Sequence, residues 1–155
     1  MADKMKQAQL VYQTVCAALD ARNWKYGKDE AKLLVHFGVN GDDIPMQFII
    51  VVDADRQLIR IMSPLPFKMS EDKRIEGAVA TCATTYGMVD GGFDYDLSDG
   101  SITFRMAASF RESVFGEGLI QYMISCSCAM VDKYNDQFLA LSKDILSLEN
   151  FLKNE

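Results

Sequence analysis

The 155-residue chain has only three prolines, one tryptophan and one histidine, and its acidic residues outnumber its basic ones, 22 to 16. Each shortage excludes something. A net charge of -6 disfavours non-specific attraction to phosphate backbones or anionic lipid, so neither nucleic acid nor a membrane surface is expected as a partner. No window approaches 18 consecutive apolar residues, and the N-terminus MADKMKQAQLVYQ lacks a continuous apolar segment, so neither a membrane span nor a leader is expected. The reading is of a soluble, cytoplasmic chain. G-x-S-x-G, C-x-x-C, H-E-x-x-H, G-x-G-x-x-G and the P-loop are all absent. His36, the single histidine, would have to recruit any catalytic or metal-binding partners from afar. No catalytic residue, metal ligand or cofactor is assigned. The cysteines at 16, 82, 126 and 128 fall inside apolar helical patterns. Cys126 and Cys128 would project about 200° apart, which points to reduced thiols of a cytosolic protein. A chain of this length buries about two-thirds of its unfolded surface without disulfides, and a single domain over 1–155 is expected.

The acidic stretch Asp94-Tyr95-Asp96-Leu97-Ser98-Asp99-Gly100 resembles the start of a calcium loop. An EF-hand requires Gly at position 6 and Glu at 12. Here the glycine falls at 7 and Arg105 stands at 12, so the stretch is read as a strand running into a hairpin turn.

The periodicity alternates between helical and strand spacing. Residues 3 to 22 repeat apolar side chains every three or four positions, at Met5, Ala8, Tyr12, Val15 and Leu19, an amphipathic helix. Leu33, Val35, Phe37 and Val39 alternate as a strand. Met46 to Asp53 is apolar on both faces, as a central strand is, and Leu58 to Ser63 follows after a tight turn. Ser63-Pro64-Leu65-Pro66-Phe67 reads as an irregular crossover, because two prolines remove backbone donors. A helix should start near Ser70, end at Gly87 and bury Ile75, Val79, Cys82 and Tyr86. Two strands around the Asp99-Gly100 turn come next, and Gly116-Glu117-Gly118 is read as a hinge into the last helix. The order α-β-β-β-α-β-β-α describes an α+β fold, helices packed on an antiparallel sheet.

From Leu119 to Lys153 there is no glycine and no proline, so this stretch is read as one helix of roughly 50 Å at about 1.5 Å per residue. Its apolar stripe narrows toward the C-terminus. The expected division is a core over about 3–132 and a helical extension over about 133–153. Tyr134, Phe138, Leu141, Ile145, Leu148 and Leu152 would form a coiled-coil seam against helix 1 or a second subunit. Leu34, Ile49 and Val51, on the less apolar sheet face, are either covered by a helix of the same chain or open to a protein partner.

Trp24-Lys25-Tyr26, Val51-Val52-Asp53, the run from Leu65 to Arg74, Gly92 to Asp96 and Asp99 to Arg105 together resemble the YbjN-like family, bacterial proteins described as sensory transduction regulators with the fold of type III secretion chaperones. The similarity spans about residues 10 to 140 and departs from the family's pattern at Thr84 and Thr85, where an Asn is usual. The resemblance implies a chaperone-like fold; secretion chaperones of this shape are small, acidic and dimeric and hold clients along apolar surfaces. The expected function is a non-enzymatic protein-binding, chaperone-like or regulatory module that forms a homodimer. The rival reading is a small-molecule-binding protein or an enzyme of unrecognised type, using a sheet pocket that gathers His36, Arg105 and Asp96.

Overall fold

In a computed structural model, which describes residues 1–113 and 115–154, leaving Val114 and Glu155 of the expected unit outside, the elements run α1 (Ala2–Ala21), β1 (Gly27–Asp29), β2 (Leu34–Val39), β3 (Met46–Asp53), β4 (Leu58–Lys68), a 3-10 turn (Glu71–Lys73), α2 (Arg74–Tyr86), β5 (Gly92–Tyr95), β6 (Ser101–Ser109), α3 (Glu117–Ser142) and α4 (Leu148–Lys153). The strands form one sheet in the order β1-β2-β3-β4-β6-β5, every pair antiparallel. This is the expected α+β class, with a short edge strand, β1, and a separate α4 added to the expected order.

Alternation decides which sheet face is dry. Val35 and Phe37, Phe48, Ile50 and Val52, Ile59 and Ile61, and Ile102, Phe104 and Met106 all point to one side and are buried. There they meet Ala8, Val11, Val15 and Leu19 of α1 and Ile120, Ile124 and Val131 of α3 in a single core. The helical face expected of α1 holds except at Met5, which is exposed.

The prolines do not end β4 as expected. Pro64 and Pro66 lie inside the strand, which runs on to Lys68 with a register shift between Pro64 and Lys68. β3 pairs with β4 only from Leu58 to Met62, so beyond that point β4 has β6 alone as a neighbour and is locally an edge, where a missing N–H is tolerated. The turn into β6 closes on the end of this strand. Gly100 has φ +76°, its carbonyl accepts from the Met69 N–H at 2.9 Å, and a Cβ placed on it would lie 2.1 Å from the Met69 carbonyl oxygen. Gly100→Ala should therefore lose about 1–2 kcal/mol from the left-handed backbone alone, lowering the thermal midpoint by at least about 3 °C in a circular-dichroism melt. An unchanged midpoint would mean that this close approach is not part of the native turn.

The C-terminal run is two helices, which corrects the single-helix expectation. α3 stops at Ser142 without glycine or proline because Asp144 takes a left-handed backbone, φ 58°. The Ile145 N–H then reaches the Ala140 carbonyl at 2.9 Å and the Asp144 N–H the Leu141 carbonyl at 3.3 Å, the bond pair of a Schellman ending. Ser147 caps α4 by accepting from the Asn150 N–H at 3.2 Å. The reversal is pinned by Lys73, whose ammonium pairs with Asp144 and, at 3.1 Å, with Glu76. These carboxylates, Asp144 foremost, hold Lys73 above the ordinary lysine range. Residues after 133 share the one core instead of extending from it: Phe138, Leu141 and Phe151 are fully buried, and Phe138 touches both Phe93 and Phe151, with ring centroids 5.1 and 5.2 Å apart.

Candidate protein-binding surfaces

Helix α2 is turned over relative to its expected orientation. The stripe Ile75, Val79, Cys82 and Tyr86 faces outward: Ile75 is 71% exposed and Tyr86 93%, and Cys82 is exposed as well. The inward face is Gly77, Ala80, Thr81 and Thr84. The cause is the close approach of the helix to the sheet edge. The Tyr95 hydroxyl donates to the Arg74 carbonyl at 2.6 Å, and a Cβ on Gly77 would sit 2.6 Å from that hydroxyl oxygen. Thr85 accepts from the Phe93 N–H at 2.9 Å and donates to its carbonyl at 3.3 Å, meeting backbone groups that a further strand would otherwise meet. Only small side chains fit so near, and the threonines satisfy their own hydroxyls on the preceding helical turn.

Further bulky apolar residues are exposed after the helix. Val89 just beyond the helix is 99% exposed, and Leu97 in the β5–β6 turn is 57% exposed. An open groove of about 480 Å³ brings Tyr95 and Leu97 together with Ala78, Cys82 and Tyr86 of α2. Exposed apolar side chains grouped in this way mark contact surfaces. The stripe itself is visible in the sequence, but periodicity reports a stripe without saying which side it faces.

The expected seam on the last helix does not form as a surface. Tyr134, Phe138 and Leu141 are buried in their own core and Leu148 is half-buried against it, whereas Ile145 is 77% exposed in the α3–α4 turn and Leu152 sits at the surface of α4. These six residues are divided by the break at Asp144, so no continuous helical seam unites them.

Leu34, Ile49 and Val51 lie together on the sheet face turned away from α1 and α3. Leu34 is registered opposite Val51, and Ile49 sits two pairs along, opposite His36. They are half-buried by their strand neighbours and take no part in the core. Among the described residues no helix packs them into the core.

The pocket expected to join His36, Arg105 and Asp96 does not form. His36 lies on β2 and Arg105 on β6, with β3 and β4 between them, a span of about 14 Å at the usual strand spacing. Arg105 instead pairs with Asp94 at 2.7 Å. Asp96 accepts from the N–H and hydroxyl of Ser98 at 2.8 and 2.6 Å. Asp99, paired with Lys68 at 2.7 Å, is held well below the usual carboxylate range by that ammonium. Among the described residues no cluster of His, Cys, Asp and Glu has the arrangement of a metal site, and no helix is long and apolar enough to cross a membrane.

The four cysteines are free thiols. Burial pushes Cys128 up to about 11 and raises Cys126, so thiolate is scarce at both. Cys82 alone is exposed. In dilute protein one thiol should react quickly with a disulfide reagent such as Ellman's, and Cys82→Ser should abolish that fast phase while leaving the slow ones.

No protein-family model and no curated protein matches the chain by sequence. Solved structures do match it by shape. A chain from the HopA1–SchA chaperone–effector complex superposes with a TM-score of 0.58 at 8% identity, over 83% of this chain and 95% of that one. YbjN from E. coli, described as a candidate transcription regulator, superposes with a TM-score of 0.61 at 11% identity, over 85% of this chain and 92% of its own. At such identities the likeness concerns the fold, and it agrees with the fold that the sequence resemblance implied. This chain is built on the chaperone-like α+β fold shared with YbjN and with the HopA1–SchA structure.

Proposed function

We propose that the protein is a non-enzymatic, cytoplasmic, chaperone-like module that binds protein and pairs with a second copy of itself. The observation that carries the reading is the outward apolar face of α2 with Val89 and Leu97. Its bulk contrasts with the small inner face of the same helix, and exposed side chains of this kind lower the free energy when a partner removes them from water. A two-fold pairing of α2 with its copy is the simplest arrangement in which one such face covers another. The likeness to a chaperone–effector structure supports protein as the class of partner.

Static light scattering tests the pairing. The expected mass at tens of micromolar is twice the 17.4 kDa of the chain, and a monodisperse 17.4 kDa species would remove the self-association claim. As the protein is concentrated, the fast Cys82 reaction should slow, because pairing through α2 covers that thiol.

A second reading has specific support from two cavities flanking α1, of about 550 Å³ and 510 Å³. The second brings Tyr12, Cys16, Asp20, Lys28 and Glu30 together, a mixed lining suited to a small polar-apolar molecule. Saturable stabilisation by one metabolite in a thermal-shift screen would favour this reading over the protein-binding one.

A further inference from the structure

The uncovered sheet face has a feature that its apolar residues do not explain. Ile49 and Val51 of β3 lie opposite Met62 and Arg60 of β4. Arg60 in turn lies opposite Ala107, and Met62 opposite Arg105. On the other side, Leu34 and His36 of β2 lie opposite Val51 and Ile49. Leu34, Ile49, Val51 and Met62 thus form a connected apolar field with three basic side chains, His36, Arg60 and Arg105, and three carboxylates, Asp29, Asp53 and Asp94, around it on the same face.

Two of the three are accounted for. Arg105 is bonded to Asp94, and the His36 ring lies across Gly27, where a Cβ would come within 2.2 Å of it. The Arg60 side chain has no hydrogen bond or ion pair among the described residues, and its Nε is buried without an acceptor. The carboxylate nearest in register, Asp53, is occupied by Arg56, accepting from its backbone N–H at 2.9 Å and facing its guanidinium at 4.0 Å. A guanidinium set in an apolar surface with an unmet N–H is costly to leave so, and a planar carboxylate is the group that meets its fork.

We propose that this sheet face docks an apolar segment of a partner protein that carries carboxylates, one of which is received by Arg60. The inference rests on the protein-binding reading but uses a surface separate from α2. Local charge favours the acidic segment although the whole chain does not: at a net charge of -6, long-range attraction would select a basic peptide. The contact at Arg60 and the field of the entire protein therefore predict opposite preferences.

The test uses fluorescence anisotropy with two labelled peptides of equal length, one alternating Leu and Glu, the other alternating Leu and Lys. The Leu-Glu peptide should bind at least about tenfold more tightly. Arg60→Gln should remove most of that preference, and Arg60→Lys should restore part of it, since an ammonium supplies charge without the fork. Circular dichroism of both variants should match the parent, and their mass by light scattering should be unaltered. Equal binding, a preference for the Leu-Lys peptide, no binding of either, or an Arg60→Gln protein that still discriminates would each overturn the proposal. A change of mass on Arg60→Glu would overturn it in favour of a contact between copies. Failure of the peptides with self-association intact would count against the sheet-face proposal alone.

Discussion

Val79→Asp combined with Tyr86→Asp should convert the protein to a 17.4 kDa species by light scattering while leaving its circular-dichroism spectrum and melting behaviour close to the parent's. Both side chains point away from the fold, Val79 42% and Tyr86 93% exposed, so the substitutions bury no charge in the monomer. In a pair of copies they would place carboxylates in a desolvated apolar contact, and unpaired buried charges of that kind cost several kcal/mol. A loss of several kcal/mol weakens association more than a hundredfold. Each copy carries a net charge of -6, so two copies repel one another at long range. Association of the parent protein should therefore strengthen at high salt, as like charges are screened. A double variant whose mass equals the parent's would show that α2 is not the contact, whatever surface is.

The second large effect separates the two halves of the expected C-terminal seam. Phe138→Ala should destabilise the chain by about 3–5 kcal/mol in urea unfolding, a substantial part of the 5–15 kcal/mol typical of a domain. Phe138 is fully buried and bridges the sheet to α4 through Phe93 and Phe151. Ile145→Asp should change stability by no more than about 0.5 kcal/mol, because Ile145 is 77% exposed in the turn after α3. A single coiled-coil handle would make the two substitutions behave alike, each weakening the association of two chains and neither doing much to the folded monomer. Equal effects on stability would therefore argue against the broken helix and its folded-back α4.

Alternation and turn chemistry are legible in the sequence because they depend on near neighbours. Met46–Asp53 is a strand to the residue in both the pattern and the fold. The Asp99-Gly100 turn is legible because a positive φ at that point demands glycine. The end of α3 is harder to see. Asp144 adopts the left-handed conformation without being glycine, which the chain tolerates at modest cost. The one local hint is Ser147 followed by Glu149 at the start of a helix. Of the candidate surfaces, the apolar members of the sheet face are visible as the second side of a two-sided strand. Arg60 is not, since an arginine in a strand carries no mark of lacking a partner.

By itself, then, the sequence determined the class of the fold, the positions of most strands and the lack of any catalytic motif, all properties of composition and short-range spacing. Only the tertiary structure decided which way each apolar stripe faces. A helix with bulky residues on one side and small ones on the other can bury either. α2 buries the small side because Tyr95 and Thr85 hold it tightly against the edge of β5. In the same way, the spacing of Phe138 and Leu141 suits a partner helix as well as it suits a core. Their burial was decided by the reversal at Asp144, which brings Phe151 back over them and completes a core inside the chain.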